Sequence, residues 1–206
     1  VVFSNKDYLL PNLHFGKIKS ESLQPEIQFF IDEYFFQCKL FGEHNFSNII
    51  SAIAIGHHFG VPFPRMVQAI RDFSPETNRS QLIQIGANQF IMDAYNANPS
   101  SMKASVEAFV KMDSGFPKIL ILGDMLELGD YAKKEHSDMA QWISELENIR
   151  PILVGKNFKD SALQLGITHF SNVSELKEWW DSEQIVNHFI LLKGSRGIAL
   201  EKMLTA

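Results

Sequence analysis

The sequence has few cysteines, no excess of basic residues and no long hydrophobic run. Its single cysteine, Cys38, excludes an internal disulfide and a multi-thiolate zinc site and fits a reducing compartment. A net charge of -5 provides no basic surface for a nucleic-acid backbone. No apolar run approaches the roughly 20 residues of a membrane span, and the N-terminus lacks the ordered regions of a secretory signal. We therefore expect a cytoplasmic protein with no nucleic-acid partner and no membrane span.

Glycine-rich phosphate-binding loops are missing as well. The segment Gly123–Gly129 does not have the Gly-x-Gly-x-x-Gly fingerprint, which disfavours a nicotinamide-binding domain. No Gly-x-x-Gly-Lys-Thr-type loop occurs, and neither a nucleophile triad nor a metal-ligand cluster is visible. The chain begins at Val1 rather than at methionine, within a strand-like pattern, which predicts a piece of a longer protein. We expect no complete catalytic centre within it.

Strands and two helices are predicted for the first part of the chain. Residues 27–41 give two β-rich runs around a polar pair, which is typical of a hairpin. A helix follows, because apolar residues recur at helical spacing and Gly60 occupies the position of a C-terminal cap. A shorter helix has Pro64 in its first turn. The polar stretch at 74–78 then favours a domain boundary, which we place between residues 77 and 78.

The rest of the chain, residues 78–206, alternates strands and helices. Short continuous apolar strands between amphipathic helices predict a mostly parallel sheet covered on both faces. The predicted fold class is therefore α/β, with a Rossmann-like domain at 78–206 after a smaller α/β segment at 1–77. Strands are predicted at 81–85, 89–93, 118–122, 151–154 and 190–192, and helices at 99–112, at 134–146, near 160, near 174 and after the last strand.

The first candidate site is the start of the first helix, which carries His44, Asn45 and Asn48. Asn45 and Asn48 are three residues apart, so both amides lie on one helical face beside the apolar stripe. Amides and an imidazole at a helix N-terminus can bind a base or a sugar, while the helix end favours anions. The alternative is that Asn45 or Ser47 only caps the helix, and helix physics alone favours that alternative.

The second candidate site follows the strand that ends at Asp93. In open α/β sheets the carboxyl ends of strands line the ligand crevice, so Asp93 is placed to accept hydrogen bonds from a ribose or a cation. Asn98 and Pro99 have the pattern of a helix N-cap and a first helical residue. Asp93, Tyr95 and Asn96 are then left without a structural role, which makes binding as good an explanation of them as structure.

Two further segments follow buried strands. The glycines of Gly123–Gly129 permit a tight turn or a close backbone approach, and a lone histidine such as His136 downstream is usually structural or solvated. Lys193, Ser195 and Arg196 place two cations and a hydroxyl at a strand end, an arrangement that suits a phosphate or a carboxylate. A solvated turn with helix-flanking charges explains the same spacing equally well.

Taken together, these segments resemble the Mur ligase family of ATP-dependent amide ligases. The sequence His-Asn-x-x-Asn at 44–48 is similar to the family's nucleotide-contacting helix start, and Arg79 and Asp93 match its characteristic arginine and aspartate in order and setting. Four motifs single out the members that add D-alanyl-D-alanine: Asp-Ala-Tyr-Asn-Ala-Asn-Pro-Ser-Ser-Met at 93–102, Leu-Gly-Asp-Met-Leu-Glu-Leu-Gly at 122–129, His136, and Lys-Gly-Ser-Arg-Gly at 193–197.

The resemblance covers essentially the whole chain and implies both its organisation and its activity. Residues 1–77 are similar to the end of the family's central ATPase domain, and residues 78–206 to its Rossmann-like C-terminal domain. The family's phosphate loop, magnesium ligands and other main catalytic residues would lie upstream of Val1. The implied reaction of the whole enzyme joins D-alanyl-D-alanine to UDP-MurNAc-tripeptide with ATP and Mg2+, in peptidoglycan precursor synthesis. This piece alone is expected to be inactive.

The resemblance also implies roles for individual residues. The adenine end of ATP would contact His44, Asn45 and Asn48, while its ribose or phosphates would contact Arg79 and Asp93. Substrate binding would fall to Tyr95, Asn96, Lys193, Ser195 and Arg196. We expect a monomer.

Two alternatives stay open from the sequence. The first is a sister ligase, such as the diaminopimelate- or lysine-adding enzyme or folylpolyglutamate synthase, although Tyr-Asn-Ala-Asn-Pro and Lys-Gly-Ser-Arg argue against it. The second is a stand-alone nucleotide- or peptide-binding module without catalysis, because the chain contains no complete catalytic centre.

Overall fold

The computed structural model describes residue 16 and residues 18–23, 26–40, 42–73 and 81–204. The chain divides into two compact units, Val1–Ser74 and Pro75–Ala206, called unit 1 and unit 2 below and described separately. The boundary expected between residues 77 and 78 falls in a stretch outside the described residues and stays a prediction. None of the described helices is long and apolar enough to cross a membrane.

Unit 1 contains a small antiparallel sheet followed by two helices. Its strands β1, β2 and β3 pair in chain order. The predicted hairpin is confirmed as β2 and β3, joined by a turn in which Asp32 has a φ of 50°, a left-handed conformation that aspartate tolerates better than most residues. The elements are β1 (Ile18–Ser22), β2 (Ile27–Ile31), β3 (Tyr34–Cys38), α1 (Glu43–His58) and α2 (Phe63–Asp72).

The core of unit 1 lies between its sheet and the predicted apolar stripe of α1. The rings of Phe29 and Phe36 are stacked, with their centres 5.0 Å apart. The ring of Phe46 packs edge-on against Phe29, with a distance of 5.1 Å between the ring centres. Burial of a phenylalanine or isoleucine of this kind contributes about 1.5–3 kcal/mol. Cys38 is also buried, and that burial raises the pKa of its thiol. The stripe is buried throughout and comprises Phe46, Ile49, Ile50, Ile53 and Ala54.

The end of α1 and the start of α2 agree with the sequence prediction. Gly60 follows the last turn of α1 with a φ of 75°, and its N–H donates to the carbonyl of His57 at 2.9 Å. Glycine adopts this left-handed conformation without a steric cost and so ends the helix. Pro64 lies in the first turn of α2, where its missing N–H removes no helical hydrogen bond.

Unit 2 is an α/β domain built on a six-stranded sheet in the order β4-β5-β9-β6-β7-β8. Strand β4 pairs antiparallel with β5, and all other neighbours are parallel. The predicted fold class and mostly parallel sheet are confirmed. The elements are β4 (Gln81–Ile85), β5 (Asn88–Asp93), α3 (Pro99–Lys111), β6 (Lys118–Gly123), α4 (Ala132–Ser144), β7 (Ile149–Val154), α5 (Lys159–Leu165), β8 (Thr168–Phe170), α6 (Val173–Glu183) and β9 (Phe189–Lys193).

The strand β9, last in the chain, lies in the middle of the sheet between β5 and β6, and all five of its residues are buried. The prediction of an α-helix after β9 is wrong. Two short 3-10 segments, Arg196–Ile198 and Leu200–Leu204, take its place. Ala199 between them has a φ of 56°, so the α-helical hydrogen-bond pattern cannot run through this position. The three-residue edge strand β8 was not predicted, because its residues lack a strong apolar pattern.

Candidate functional site

The strands β5, β9, β6 and β7 all end at one edge of the sheet, because they are parallel and in register. Asp93 at the end of β5 pairs with Lys193 of β9, and Gly123 of β6 pairs with Val154 of β7. In open α/β sheets this is the edge at which ligands bind. We call it the strand-end edge and define it as residues 93–98, 123–128, 154–158 and 193–197.

A buried ion pair lies at the centre of the strand-end edge. Lys193 Nζ is 2.7 Å from Asp93 Oδ2, and the two side chains are only 2% and 13% exposed. Ser105 Oγ donates to the same carboxylate oxygen at 2.7 Å. Burial of a lysine is costly unless its charge is paired, so Asp93 is required where Lys193 is buried. The expectation that Asp93 has no structural role is therefore wrong, while its nucleotide-binding role stays a prediction.

Tyr95, Asn96 and Arg196 lie beside this ion pair. The Arg196 guanidinium is 5.6 Å from the centre of the Tyr95 ring, within the range of a cation–π contact, and Arg196 is exposed. Asn96 is exposed too; its Oδ1 accepts from the N–H of Ala97 at 2.8 Å, and its carbonyl accepts from Lys193 Nζ at 3.4 Å. The structure thus brings together four of the five residues predicted to bind substrate around Asp93.

The fifth residue, Ser195, is turned towards the protein. Its side chain is buried, and Oγ accepts from the N–H of Leu126 at 3.0 Å. Its own N–H donates to the carbonyl of Asp124 at 3.1 Å. Ser195 therefore joins the segment after β9 to the loop after β6. A contact between this hydroxyl and a substrate stays a prediction.

Helix α3 starts from the strand-end edge with the predicted cap. Asn98 Oδ1 accepts from the N–H of Ser101 at 2.8 Å, and Ser101 Oγ accepts from the N–H of Asn98 at 3.1 Å. This reciprocal capping box satisfies two backbone donors that would otherwise have no helical partner. Pro99 occupies the first helical position. The capping interpretation of Asn98 and Pro99 is confirmed.

Sequence reasoning missed the role of Asp124, which follows β6. The residue is 2% exposed, and its carboxylate accepts from the N–H groups of Asn157 at 2.9 Å and Phe158 at 3.3 Å, just before α5. Gly155 has a φ of 123°, and a Cβ there would lie 2.2 Å from Asp124 Cγ, so only glycine fits. The available signal was the Val-Gly-Lys-Asn-Phe sequence at 154–158, which directly follows a buried strand.

His136 of α4 is fully buried behind this loop. Its Nδ1 lies 2.6 Å from the carbonyl of Ala132, and its Nε2 accepts from the N–H of Met125 at 3.0 Å. Phe158 packs edge-on against its ring at 4.5 Å. The Nε2 atom is also 3.6 Å from Asp124 Oδ1, but this is no hydrogen bond, because that nitrogen already accepts from an N–H. Of the two expectations for His136, structural or solvated, the structural one is confirmed.

The candidate residues of unit 1 lie in the first two turns of α1. Helix α1 has Gly42 as its N-cap and no side-chain capping bond, so the alternative that Asn45 or Ser47 caps the helix is wrong. Ser47 Oγ instead donates to the carbonyl of Glu43 at 3.1 Å. Asn45 is half-buried and Asn48 is exposed. The side chain of His44 and the whole of Arg79 lie outside the described residues, so their predicted roles stay predictions.

The six-stranded, mostly parallel sheet defines unit 2 as an α/β domain, and comparison with known proteins assigns its family. Residues 78–196 match the Mur ligase, glutamate ligase domain, which is more than half of the chain. The chain belongs to the Mur ligase family, as its sequence motifs indicate.

Individual relatives agree with this family. The UDP-N-acetylmuramoyl-tripeptide--D-alanyl-D-alanine ligase of Bacillus subtilis (strain 168) is 31% identical over 172 residues, or 80% of this chain and 38% of the relative. The Escherichia coli (strain K12) protein of the same name is 27% identical over 98% of this chain and 45% of its own length. A crystal structure of MurF from Acinetobacter baumannii superposes with a TM-score of 0.74 at 28% identity, covering 90% of this chain and 42% of that one. The chain thus spans less than half the length of these relatives.

Proposed function

We propose that this chain is part of the ATP-dependent amide ligase that joins D-alanyl-D-alanine to UDP-MurNAc-tripeptide. The observation that carries the proposal is the strand-end edge, where the buried Asp93–Lys193 pair lies beside the exposed guanidinium of Arg196. This edge is formed by the same segments that distinguish the D-alanyl-D-alanine-adding members of the family. The names of the Bacillus subtilis and Escherichia coli relatives support the same activity.

The proposed chemistry explains why ATP is needed. A carboxylate is a poor electrophile, so ATP first phosphorylates the terminal carboxylate of the tripeptide, giving an acyl-phosphate and ADP. The amine of D-alanyl-D-alanine then attacks the acyl carbon, and the new amide bond forms as inorganic phosphate leaves. Positioning of the two reactants and stabilisation of the negative charge do most of the catalytic work in such reactions.

For the nucleotide, we assign the adenine end to the start of α1 and the ribose or phosphates to Arg79 and Asp93. The amides of Asn45 and Asn48 lie in the first two turns of that helix, near the end whose N–H groups favour anions. In unit 2, Lys193 and Ser105 hold the Asp93 carboxylate in one orientation. A carboxylate fixed in this way loses little entropy when it accepts a hydrogen bond from a sugar hydroxyl.

For the incoming dipeptide, we assign the carboxylate to Arg196. Its planar guanidinium suits a carboxylate in a bidentate geometry, and the Tyr95 ring underneath it restricts its motion. The exposed Asn96 lies in the neighbouring segment and offers an amide to the peptide backbone. Ser195 acts mainly by joining the loops that carry these residues.

Mg2+ is part of the proposed reaction because it would neutralise charge on the ATP phosphates. The part of the chain that the structure describes contains no group of three or more His, Cys, Asp or Glu side chains that could hold a metal ion.

We further propose that the ligase acts as a cytoplasmic monomer. Its nucleotide-linked precursor and ATP are intracellular compounds, and the single buried thiol of Cys38 fits a reducing compartment. Light scattering of the purified protein tests the oligomeric state, and a dimer at micromolar concentration would contradict it.

Phosphate release tests the activity. The complete protein that contains this chain should release inorganic phosphate from ATP only when UDP-MurNAc-tripeptide and D-alanyl-D-alanine are both present. Release with another amine, such as a single amino acid, and none with D-alanyl-D-alanine would favour a sister ligase instead. The genomic reading frame gives a second test: a Gly-Lys-Thr loop upstream in the same frame supports the ligase, and a start codon near Val1 supports a stand-alone binding module.

A further inference from the structure

The loop that follows β6, residues 124–128, is hydrogen-bonded to three other segments of unit 2, and we call it the β6 loop. Three successive N–H groups in it have three different partners. The N–H of Asp124 donates to the carbonyl of Val154 at 2.9 Å, that of Met125 to His136 Nε2 at 3.0 Å, and that of Leu126 to Ser195 Oγ at 3.0 Å. The loop is therefore fixed to β7, to α4 and to the segment after β9 at the same time.

The contact with His136 requires one protonation state. Because Nε2 accepts from the N–H of Met125, the ring proton must be on Nδ1, which then donates to the carbonyl of Ala132 at 2.6 Å. An imidazolium, or the other neutral tautomer, would place a proton on Nε2 against the Met125 N–H. His136 and the side chain of Met125 are both 0% exposed, so no water can substitute for the lost acceptor without a rearrangement.

The contact between His136 and Met125 also fixes the residue next to it, Leu126, which lies where a ligand could bind. Leu126, the next residue, has a 49% exposed side chain that lies against the segment after β9, since a Cβ added to Gly197 would be 2.6 Å from its Cδ1. Arg196 immediately precedes that glycine. An exposed apolar side chain thus lies against the residue that follows Arg196, and a cation and an apolar group in neighbouring positions fit a ligand with a carboxylate next to a methyl group.

We propose that His136 is a positioning residue for the dipeptide. Its neutral, Nδ1-protonated ring fixes Met125, and through Leu126 and Ser195 it sets the spacing between the apolar side chain of Leu126 and the guanidinium of Arg196. His136 itself touches no substrate. The identity of the ligand in this inference rests on the proposed function, whereas the fixing of the β6 loop by His136 does not.

Two substitutions separate positioning from simple packing. His136→Gln keeps an acceptor near the position of Nε2, because a glutamine side chain reaches about as far from the backbone, whereas His136→Leu fills a similar space without any acceptor. In the complete ligase we expect His136→Leu to raise the KM for D-alanyl-D-alanine at least tenfold with the KM for ATP within twofold. His136→Gln should restore the dipeptide KM to within threefold of the wild type.

Ile143→Val is the matched control, because Ile143 lies on the same buried face of α4 and no side-chain hydrogen bond is lost. It should lower the thermal midpoint but leave both KM values unchanged. An unchanged dipeptide KM in His136→Leu, or a glutamine variant no better than the leucine variant, would overturn the proposal.

A spectroscopic measurement covers the case in which the leucine variant does not fold or the complete protein proves not to be this ligase. In the 206-residue chain, nitrogen NMR of the histidine rings at neutral pH should show His136 with an unprotonated Nε2, and the Met125 amide should exchange slowly. His136→Gln should keep the Leu126 and Ser195 amide shifts close to those of the wild type. A protonated Nε2, or rapid exchange of the Met125 amide, would refute the positioning role whatever the substrate is.

Discussion

The candidate residues of the two units differ in how firmly their side chains are held by the rest of the protein. In unit 2, Lys193 and Ser195 of the strand-end edge and His136 behind it are buried, and each makes a side-chain hydrogen bond of 2.7–3.0 Å to a neighbouring segment. In unit 1, by contrast, α1 begins without a side-chain cap, and Asn48 is exposed. Substitutions of these buried residues of unit 2 should therefore affect folding and binding together, whereas substitution of the exposed Asn48 should affect binding with only a small change in stability.

The largest effect is expected from Asp93→Ala, which leaves the buried ammonium of Lys193 without its partner. Removal of one member of a buried ion pair costs about 3–5 kcal/mol. Urea unfolding followed by tryptophan fluorescence measures this cost in unit 2 alone, because all three tryptophans, at positions 142, 179 and 180, lie there. Activity should fall as well, since the carboxylate that we assign to the nucleotide is gone.

The double variant Asp93→Ala with Lys193→Met is the control for this prediction. It replaces the whole pair by apolar groups and should recover most of the lost free energy of unfolding, without recovery of activity. A single Asp93→Ala variant within about 1 kcal/mol of the wild type would show that Lys193 finds another partner or reaches water.

The second largest effect is expected from Gly155→Ala. A residue with a side chain is strained at a φ of 123°, and its Cβ would overlap the Asp124 carboxylate at 2.2 Å. The backbone strain alone costs roughly 1–3 kcal/mol, and the overlap adds to it. Gly166→Ala is the matched control, because Gly166 also has a positive φ, of 68°, but a Cβ there meets no atom within 4 Å. If urea unfolding showed the same loss in free energy of unfolding for both variants, the β6 loop would be able to move aside without an energetic cost.

Most of the fold could be predicted from the sequence because the strands of unit 2 are short apolar runs between periodic helices. The hairpin at Asp32, the buried stripe of α1 and the cap formed by Asn98 and Pro99 depend only on residues close in sequence. The position of β9 at the centre of the sheet depends on strand order, which local patterns do not contain. The 3-10 segments after it depend on the backbone of Ala199, and alanine gives no signal for a left-handed conformation.

The sequence could predict which residues lie at the candidate site, but not which of their side chains contact one another. Strand ends indicate which residues share an edge, so Asp93, Tyr95 and Arg196 could be singled out without a structure. The partner of each side chain depends on the register between β5 and β9, which pairs Asp93 with Lys193 across 100 positions of sequence. The contact of His136 with Met125 depends instead on how α4 packs behind the loop after β6, which the sequence around His136 does not indicate.

A smaller effect is expected from Asn98→Ala, which removes the cap of α3. Loss of an asparagine N-cap costs typically about 1 kcal/mol, because the N–H of Ser101 loses its acceptor. Asn98→Ser keeps an N-cap oxygen and should lose only a few tenths of a kcal/mol. Equal destabilisation of the serine and alanine variants in urea unfolding would contradict this prediction. Such a result would mean that Ser100, whose Oγ donates to Asn98 Oδ1 at 2.8 Å, matters more than the cap itself.

The smallest effect on stability is expected from Asn48→Ala, and this variant tests the contrast between the units most directly. Asn48 is exposed in α1, and alanine has the higher helix propensity, so hydrogen exchange of the α1 amides should show a gain of a few tenths of a kcal/mol. If the amide contacts the nucleotide, loss of one hydrogen bond should raise the KM for ATP of the complete ligase about threefold to tenfold.

Ser51→Ala provides the control for Asn48→Ala. Ser51 is exposed one turn later on the same helix, and its Oγ donates to the carbonyl of Ser47 at 2.9 Å. Its removal should give the same gain in helix stability without a change in the KM for ATP. A KM for ATP in Asn48→Ala that equals that of Ser51→Ala would remove Asn48 from the nucleotide site. The nucleotide contacts of α1 would then have to come from its other two candidates, His44 and Asn45.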